Sequence, residues 1–242
     1  MFRWLAYPFS VVYYVFFCLT LLIFHPLQVI AFHTFGIGAQ KKTVDALNWL
    51  LLRYLNMLGT RIDFDLPSNL PNGPIAFVAN HQSTYDIPPL IWYLRKLHPK
   101  FVAKKELGNG IPSISYHLQH GGNVLIDRKK PKEAKAAIIS FCERVVKNNW
   151  SIVIFAEGTR SRSAQPKKFQ RGGLRTLLEQ IPNLTFVPVS ISHSWKLAQW
   201  NYFPMPLGIH ITLKVHPPIE REIDDESYID QVEKTVVEGV KT

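Results

Sequence analysis

The feature that most restricts how this chain can fold is its first forty residues, which carry almost no charge. No Asp, Glu, Lys or Arg occurs from Trp4 to Gln40, and the stretch from Leu5 to Phe24 is almost wholly apolar. About twenty apolar residues are enough for a helix to cross the hydrocarbon core of a bilayer. A secretory signal fits less well, because the apolar run is too long and no small-residue cleavage site follows it. The sequence therefore predicts a membrane-associated segment here.

A second helix is predicted to follow interruptions at Pro26 and at residues 36–38, and to begin near Lys42. Its apolar residues fall on one stripe of a helix and its polar residues cluster opposite. The stripe is formed by Val44, Leu47, Leu51, Leu55 and Leu58, and the opposite side by Asp45, Asn48, Arg53 and Asn56. We therefore predict a two-helix membrane anchor that enters one leaflet. A single spanning helix and a buried hairpin in a soluble protein are the alternatives.

From residue 61 onward, short β-prone segments alternate with segments of helical periodicity. This alternation is typical of a layered α/β domain with a largely parallel sheet flanked by helices. We predict two parts, with membrane-anchoring helices in residues 1–60 and the α/β domain in residues 61–242. The predicted strands are residues 61–66, 75–79, 101–103, 123–126, 152–155, 185–191 and 209–215, and the predicted helices are residues 86–97, 114–119, 131–148, 173–180 and 225–240.

The charge of the chain is concentrated in its middle. The net charge is +10, and between Lys100 and Arg175 sixteen Lys and Arg face only five Asp and Glu. Between Glu220 and Glu238, eight acids face two bases. A basic field suits anionic partners such as lipid headgroups, phosphorylated substrates, nucleic acid or an acidic carrier protein. A solvated basic surface explains the charge equally well, so charge by itself assigns no function.

A histidine and an aspartate follow the predicted strand that ends at Ala79. His81 and Asp86 are five residues apart, which would turn them about 140° from each other on one regular helix but lets them meet across a strand-to-helix turn. An imidazole accepts a proton from an alcohol near neutral pH, and a carboxylate on its other ring nitrogen stabilises the imidazolium. This is the base half of a catalytic triad. A metal-binding pair is the alternative, although no third ligand lies nearby in sequence.

The segment Glu157-Gly158-Thr159-Arg160 ends a second apolar strand. A glycine turn of this kind presents backbone N–H groups, a hydroxyl and a guanidinium to an anion. In open α/β sheets, ligands collect at the carboxyl ends of the strands. Two further basic segments follow predicted strands, at Arg128 and at residues 104–105. Each alone is more typical of a salt-bridged surface turn, and both fit an anion site at this edge.

These segments together resemble the glycerolipid acyltransferase family, in particular its bacterial 1-acylglycerol-3-phosphate members. Four blocks agree with the family in order and spacing over roughly residues 75–192. The blocks are His-x4-Asp at His81–Asp86 with Asn80 before it, Gly-x-x-Phe-Ile-Asp-Arg at residues 122–128, Phe-x-Glu-Gly-Thr-Arg-Ser at residues 155–161, and an apolar strand with proline at residues 187–189. One departure is visible, since Leu125 stands where the second block has Phe. The N-terminal helices also look like this family.

The resemblance implies an acyltransferase of phospholipid biosynthesis. It would move a fatty acyl group from a thioester to the sn-2 hydroxyl of lysophosphatidic acid and so form phosphatidic acid. The residues implied are His81 and Asp86 for catalysis, and Lys105, Arg128, Glu157, Gly158, Thr159 and Arg160 for substrate binding. No Gly-x-Ser-x-Gly nucleophile motif occurs in the chain, so we predict direct transfer without an acyl-enzyme.

The implied substrate-binding residues have different roles. Arg160 would bind the phosphate of the acceptor, assisted by Arg128 and Lys105. Glu157 would organise the site or contact the glycerol, because a carboxylate and a phosphate repel each other. The oxyanion donors are not identified by the sequence.

The resemblance implies no bound cofactor and no metal, with acyl-CoA or acyl carrier protein (acyl-ACP) as co-substrate. The expected partners are the phospholipid bilayer, lysophosphatidic acid and the acyl donor, without nucleic acid. The expected location is the bacterial inner membrane, with the active site facing the cytoplasm. Transfer to another lysophospholipid or to glycerol-3-phosphate is the nearest alternative. More distant alternatives are a metal-dependent hydrolase and a non-enzymatic membrane module that binds anionic lipid or nucleic acid.

Overall fold

A computed structural model describes residues 3–221 and 224–241 of the chain. Within these residues, two long helices are followed by strands and helices in alternation. The helices are α1 (Ala6–Phe35), α2 (Ile37–Met57), α3 (Ile87–Tyr93), α4 (Ile114–His120), α5 (Pro131–Asn148), α6 (Arg171–Gln180) and α7 (Asp225–Gly239). The strands are β1 (Arg61–Asp65), β2 (Ile75–Ala79), β3 (Pro99–Lys104), β4 (Val124–Ile126), β5 (Ser151–Phe155), β6 (Thr185–Ser192) and β7 (His210–Val215).

The described strands form one seven-stranded sheet in the order β1-β7-β6-β2-β5-β3-β4. Neighbouring strands are parallel except for β6 and β7, so β1 and β7 run opposite to the other five. The predicted α/β fold with a largely parallel sheet flanked by helices is confirmed. The reversal at β7 is invisible in the sequence pattern, because a β-prone segment has the same composition whichever way it pairs.

The sheet is buried on both faces, and alternate residues of β2 belong to different layers of the core. Phe77 and Ala79 pack in the layer that contains α2 and α3, whereas Ala76 and Val78 pack against α5, α6 and α7. Strands buried on both faces carry continuous apolar runs instead of an alternating pattern. This explains why β2 and β5 are almost uninterrupted apolar segments, and it leaves their carboxyl ends as the place where polar residues emerge.

The helix predicted over residues 86–97 is broken in the structure. A 3-10 turn covers Thr84–Asp86, α3 then ends at Tyr93, and a second 3-10 turn covers Arg95–Leu97. Two prolines lie in the first turn of α3, where a missing backbone N–H costs least. The other predicted strands and helices from residue 61 onward agree with the structure to within two residues at each end.

Helix α1 is longer than the sequence predicts. It runs through Pro26 to Phe35 and is capped by Gly36, whose φ is +78° and whose N–H donates to the Phe32 carbonyl. A proline removes one backbone donor and crowds the preceding turn. Contacts on both sides of Pro26 hold α1 here, because the Ser113 hydroxyl donates to the Leu21 carbonyl and the Tyr116 ring of α4 packs against Phe32. The predicted interruption at Pro26 is therefore wrong, and α2 begins at Ile37 instead of near Lys42.

Helix α1 is apolar on its outer face and partly polar on the face toward the protein, unlike a surface helix of a water-soluble protein. The face toward the protein contains buried polar residues, Ser10, Thr20 and Gln28. The outer face is exposed and apolar, and comprises Phe9, Val11, Val12, Val15, Phe16, Leu19, Leu22, Ile23, Leu27 and Ile30. An exposed apolar face of this extent marks a contact with a membrane or another protein. In the part of the chain that the structure describes, Arg3–Phe35 is the one helix long and apolar enough to cross a membrane.

Helix α2 corrects the prediction of a two-helix anchor. Its predicted apolar stripe from Val44 to Leu58 is buried, but the helix packs against α1, α3 and α4 instead of facing outward. On the polar side Arg53 is exposed, whereas Asn48 is buried and donates its amide to a main-chain carbonyl of the previous turn. An amphipathic helix whose apolar stripe is already covered has little left to insert into lipid. The structure therefore supports one apolar candidate anchor, α1, braced by α2.

Candidate active site

The predicted site residues lie at the carboxyl ends of four neighbouring parallel strands. His81 follows β2, Arg160 follows β5, Lys105 follows β3, and Arg128 follows β4. The register of β2 and β5 places the loops after these strands side by side, and the N–H of Ser161 donates to the His81 carbonyl at 2.7 Å. This edge of a parallel sheet is where α/β folds bind their ligands.

His81 and Asp86 meet across the turn between β2 and α3. Nδ1 of His81 lies 2.7 Å from Oδ2 of Asp86, which is fully buried. The same oxygen accepts the backbone N–H groups of Gln82 at 2.7 Å and Ser83 at 3.0 Å. Asp86 therefore holds the loop and the imidazole at the same time, and it leaves Nε2 as the ring nitrogen free to act on a ligand.

The other carboxylate oxygen of Asp86 is held by a residue that sequence analysis missed. Oδ1 accepts the hydroxyl of Ser194, which lies 108 residues away in the 3-10 turn after β6. Ser83 contributes a second hydroxyl at 3.4 Å. These donors satisfy a carboxylate that has no access to water. No sequence spacing points to Ser194, because the contact arises only from the position of β6 beside β2.

The backbone of His81 is fixed by its neighbours on both sides. The preceding Asn80 exchanges two hydrogen bonds with the backbone of Ile191 in β6, at 2.9 and 2.7 Å. The N–H of His81 donates to Oε1 of Glu157 at 2.9 Å. Its ring stacks on Phe155 with centroids 4.0 Å apart. The imidazole is therefore held in one orientation before any ligand arrives, which is the arrangement that efficient general-base catalysis requires.

Glu157 lies behind this loop and outside the lining of the cavity described below. Its residue surface is 3% exposed, and no donor among the described residues reaches its Oε2. Burial raises the pKa of Glu157 to about 7. A buried carboxyl that contacts the His81 backbone is placed to organise the site, and it presents no second anion to a phosphate.

Arg160 is held by two neutral hydroxyl groups. Its Nη1 donates to Oγ1 of Thr84 at 2.6 Å and to the hydroxyl of Tyr202 at 2.9 Å. The turn before it depends on Gly158, which has φ +73°, a conformation that favours glycine. Lys167 donates to the Arg160 carbonyl at 2.9 Å and closes this turn from outside. The guanidinium thus lies beside the turn that carries the His81–Asp86 pair.

Tyr202 is a second site residue that sequence analysis missed. It belongs to the loop between β6 and β7, and its carbonyl accepts the hydroxyl of Tyr14 in α1 at 2.5 Å. The next residue, Phe203, packs its ring against Tyr7 and Tyr14 of the same helix. Helix α1 therefore supports the loop whose tyrosine holds Arg160. No motif marks Tyr202, because its contact depends on the placement of α1.

The His81–Asp86 pair and Arg160 share one cavity of about 470 Å³, which lies between the sheet and helices α1 to α4. The polar groups at its catalytic end are His81, Thr84, Lys104, Arg128, Thr159, Arg160 and Tyr202. Most of the remaining lining is apolar. This volume is typical of sites for small organic ligands, which span about 300–1,000 Å³. Polar and cationic groups at one end and a mostly apolar lining elsewhere suit a ligand with an anionic head and a long hydrocarbon tail.

The structure brings most of the predicted substrate-binding residues together but not all. Arg128, Gly158, Thr159 and Arg160 line the cavity, and the guanidinium of Arg128 lies close to Gly158. Lys105 is exposed and is not part of the lining, whereas the preceding residue, Lys104, is. Successive residues at the end of a strand point to opposite sides. The structure therefore places Lys104, and not the predicted Lys105, in the cavity lining.

Comparison with known proteins gives matches over the same region. Residues 61–192 match the family model described as Acyltransferase. A 1-acyl-sn-glycerol-3-phosphate acyltransferase of Saccharomyces cerevisiae is 30% identical over 171 residues, which are 69% of this chain and 54% of that protein. One of Pseudomonas aeruginosa is 29% identical over 160 residues, 65% of this chain and 60% of that protein. The chain thus spans little more than half the length of these relatives.

A solved structure is similar over almost the whole chain. The 1-acyl-sn-glycerophosphate (LPA) acyltransferase PlsC from Thermotoga maritima superimposes with a TM-score of 0.78 at 22% identity, covering 96% of this chain and 93% of that one. At this identity the likeness shows the fold, and its coverage takes in α1 and α2 as well as the sheet. The family match spans more than half of the chain and contains both His81 and Arg160. The chain therefore belongs to the acyltransferase family.

Proposed function

We propose that this chain transfers a fatty acyl group from acyl-CoA or acyl-ACP to the sn-2 hydroxyl of lysophosphatidic acid, giving phosphatidic acid. The observation that carries the proposal is a His81–Asp86 pair, 2.7 Å apart, that opens on the same apolar cavity as Arg160. A base, an anion-binding group and a channel for a hydrocarbon tail are the parts that this reaction needs. The names of the relatives support lysophosphatidic acid as the acceptor.

In the proposed mechanism, Nε2 of His81 takes the proton of the sn-2 hydroxyl as the oxygen attacks the thioester carbonyl. Asp86 accepts a hydrogen bond from Nδ1–H and stabilises the imidazolium that forms. The tetrahedral intermediate then breaks its carbon–sulfur bond, and the imidazolium returns the proton to the leaving thiolate. General-base catalysis of this kind contributes about 10²–10⁴-fold. Because the acceptor oxygen attacks directly, no acyl-enzyme forms and no bound cofactor is needed.

Arg160 is proposed to bind the phosphate of the acceptor, with Arg128 beside it. A guanidinium offers paired donors that match phosphate oxygens. The hydrogen-bond partners of the Arg160 side chain are neutral hydroxyls of Thr84 and Tyr202, so its charge stays available to a ligand. Lys104, which closes β3 at the same edge, adds a third cation to the cavity lining.

The proposal places the reaction at a membrane. Both the acceptor and the product carry long acyl chains that prefer the bilayer, and the exposed apolar face of α1 is suited to lie against lipid. Tyr14 and Tyr7 tie α1 to the loop beside Arg160, so an inserted α1 would hold the site at headgroup level. The proposed location is the bacterial inner membrane. The site would face the cytoplasm, because acyl thioesters are made in the cytoplasm.

Two substitutions test the proposed roles separately. We expect His81→Ala to lower kcat by about 10²–10⁴-fold and to leave the KM for lysophosphatidic acid nearly unchanged. We expect Arg160→Ala mainly to raise that KM, by about 10- to 100-fold, because a hydrogen bond to a charged group contributes roughly 1.5–3 kcal/mol. Steady-state kinetics with lipid in mixed micelles measures both effects.

A matched control for these variants is His210→Ala. His210 pairs with Asp63 at an exposed edge of the sheet and does not line the cavity, so its loss should leave both constants unchanged. Native kcat in His81→Ala would remove the mechanism. An Arg160→Ala effect confined to the acyl donor would show that the guanidinium does not bind the acceptor.

A further inference from the structure

Asp86 receives its hydrogen-bond donors unequally on its two carboxylate oxygens. Oδ2 is held by the His81 ring and by the backbone N–H groups of Gln82 and Ser83. Among the described residues, the close donor to Oδ1 is the hydroxyl of Ser194, and the Ser83 hydroxyl lies farther away at 3.4 Å. The backbone donors are fixed by the turn that contains them. Ser194 is therefore the side chain that most affects how this carboxylate interacts with the imidazole.

The contact between Ser194 and Asp86 is shielded from water and from the ligand. Both residues are fully buried, and neither belongs to the lining of the cavity. Hydrogen bonds to a charged group are stronger in such surroundings than in water. Ser194 can therefore influence the reaction through Asp86 without touching the substrate.

The single hydrogen of the Ser194 hydroxyl has two acceptors within reach. Oδ1 of Asp86 is the nearer one, and Oε1 of Gln82 lies 3.3 Å away. A charged oxygen forms the shorter and stronger bond, so the hydrogen points to Asp86. Oε1 of Gln82 also accepts the backbone N–H of Trp195 at 3.5 Å, which keeps this amide against the turn that carries Ser194.

The end of β6 fixes the position of Ser194. Asn80, in the catalytic turn, exchanges two hydrogen bonds with the backbone of Ile191 in β6. Ser194 begins the 3-10 turn that follows this strand, and His193 before it has φ +67°. A non-glycine residue keeps such a conformation only where its surroundings hold it. The strand and the turn therefore hold the hydroxyl at Asp86 before any ligand arrives.

A donor on Oδ1 of Asp86 weakens the attraction between this carboxylate and a protonated His81. The hydrogen bond draws negative charge toward Oδ1 and away from Oδ2, which faces the ring. A carboxylate without this donor would attract the imidazolium more strongly, because an opposite charge nearby favours the charged form of an ionisable group. A ring that stays protonated cannot take the proton of a hydroxyl. The Ser194 hydroxyl therefore favours the form of His81 that acts as a base.

We propose that Ser194 is a positioning residue of the catalytic pair: by donating to Asp86 it limits how strongly the carboxylate holds the imidazolium and so keeps His81 available as a base. The consequence for catalysis rests on the proposed acyltransferase function, whereas the coupling of Ser194, Asp86 and His81 does not. These groups are unchanged in every Ser194 variant. The other titratable and charged groups that face His81 or share its end of the cavity are Lys104, Arg128, Glu157, Arg160, Tyr85 and Tyr202, together with two tyrosines of α1.

Substitutions at Ser194 test this role against a matched serine. Ser194→Ala removes the hydroxyl, whereas Ser194→Thr keeps it. Ser192→Ala is the control, because Ser192 is a buried serine at the end of the same strand whose hydroxyl accepts the backbone N–H of Lys241 instead. The full chain is studied in detergent micelles by two measurements. One is kcat as a function of pH with saturating lysophosphatidic acid and acyl donor, and the other is the nitrogen NMR titration of the His81 ring, identified by its absence in His81→Ala.

We expect both the ring titration and the acidic limb of the kcat profile to move to higher pH by about half a unit to one unit in Ser194→Ala. On that limb kcat should fall by about three- to tenfold, since protonation of the base follows the proton concentration, and the KM for lysophosphatidic acid should stay near the native value. Ser194→Thr and Ser192→Ala should give the native titration. Ser194→Cys, which is close to serine in size and a weaker donor, should give a smaller shift, and it replaces Ser194→Ala if the melting temperature shows that the alanine variant does not fold.

An unmoved titration in Ser194→Ala would overturn the proposal, as would an equal shift in Ser192→Ala. A loss of kcat that is the same at every pH would also overturn it, because it would show that the hydroxyl only supports the structure. If the native chain transfers no acyl group from any donor, the acyltransferase proposal fails, and the ring titration still tests Ser194. If the native chain is active and the titration does not move, the function stands and only the role of Ser194 is contradicted.

Discussion

Two buried carboxyls hold the residue on which the chemistry depends. Asp86 binds the His81 ring and receives donors on both of its oxygens. Glu157 binds the His81 backbone through one oxygen, while its other oxygen has no donor among the described residues. Desolvation by burial raises the pKa of Glu157 to about 7, and the hydrogen bonds that it accepts from the backbone lower it only in part. The loop that carries the imidazole therefore depends on a carboxyl that titrates near neutral pH.

Glu157 should make the stability of the protein depend on pH. Its pKa rises from an ordinary 4.5 to about 7 on folding, so the folded state keeps a proton that the unfolded chain has lost, and stability falls as pH rises through this range. The full shift corresponds to about 3 kcal/mol. Glu157→Gln keeps an acceptor for His81 but does not titrate. Its melting temperature should therefore fall less than that of the native protein between pH 4.5 and 7, and equal slopes would contradict this.

Tyr202 should matter for acceptor binding more than for turnover. Tyr202→Phe removes the hydroxyl that accepts from Arg160 and keeps the ring beside Tyr85. Thr84 still holds the guanidinium, so we expect the KM for lysophosphatidic acid to rise only about three- to tenfold, or about 0.7–1.4 kcal/mol, with a smaller change in kcat. Tyr54→Phe, which loses a contact with Thr20 in the helices, is the matched control. An equal loss with an acceptor that lacks phosphate would contradict the role.

For single residues, the sequence predicts contacts between side chains that are close along the chain and misses contacts between distant ones. The meeting of His81 and Asp86 is local, because the turn that joins them is closed by the aspartate itself. Ser194 reaches Asp86 across 108 residues, and Tyr202 reaches Arg160 across 42. These contacts depend on strand order and on the position of α1. The periodicity of a sequence shows neither the order of the strands nor the position of α1.

At the scale of elements, α1 and α2 form one unit with divided roles. The outer face of α1 is apolar and exposed, while its inner face and α2 form much of the cavity wall. The same helix therefore serves as candidate anchor, as part of the tail channel and, through Tyr14, as support for the loop beside Arg160. This combination explains why an apolar segment carries buried Ser10, Thr20 and Gln28.

The outer face of α1 should determine membrane binding. Leu22 is exposed on this face, and a lysine there would cost about 2.5–3.5 kcal/mol if the helix lies in hydrocarbon. We expect Leu22→Lys to reduce the fraction of protein bound to phospholipid vesicles in a flotation assay. Val146→Lys is the matched control, because Val146 is an equally exposed apolar residue on α5. An equal reduction in both variants, or none in Leu22→Lys, would contradict a membrane contact through α1.

The elements themselves were predicted well from residue 61 onward, because buried parallel strands and amphipathic helices have distinct patterns. The errors lie where tertiary packing overrides local preference. Helix α1 continues through Pro26 because neighbouring helices support it, and the apolar stripe of α2 was assigned to lipid although the protein covers it. The division at residue 60 stays a prediction, since α2 packs against α1 and also against α3 and α4 of the α/β domain.

At the scale of the whole molecule, the uneven charge serves two purposes. The acidic segment near the carboxyl terminus pairs with α6, where Arg171 contacts Glu226 and Asp230 and Arg175 contacts Glu226. Such exposed pairs stabilise a protein only slightly, but they neutralise the bases on this side. Among the described residues, the bases Lys104 and Arg128 of the cavity lining form no ion pair with an acidic helix, and Glu106 is the acid that acts on Arg128. The remaining field therefore favours anionic substrates and anionic lipid at the site.

The account as a whole depends on an imidazole that deprotonates a lipid hydroxyl beside a phosphate-binding guanidinium. The most direct measurement is mass spectrometry of the lipid products that form from lysophosphatidic acid with acyl-CoA and with acyl-ACP. We predict phosphatidic acid, in which the donated acyl group replaces the hydroxyl hydrogen of the acceptor, from the native chain with at least one donor, and about 10²–10⁴-fold slower formation by His81→Ala. No phosphatidic acid from the native chain with either donor, or equal amounts from both proteins, would contradict the account.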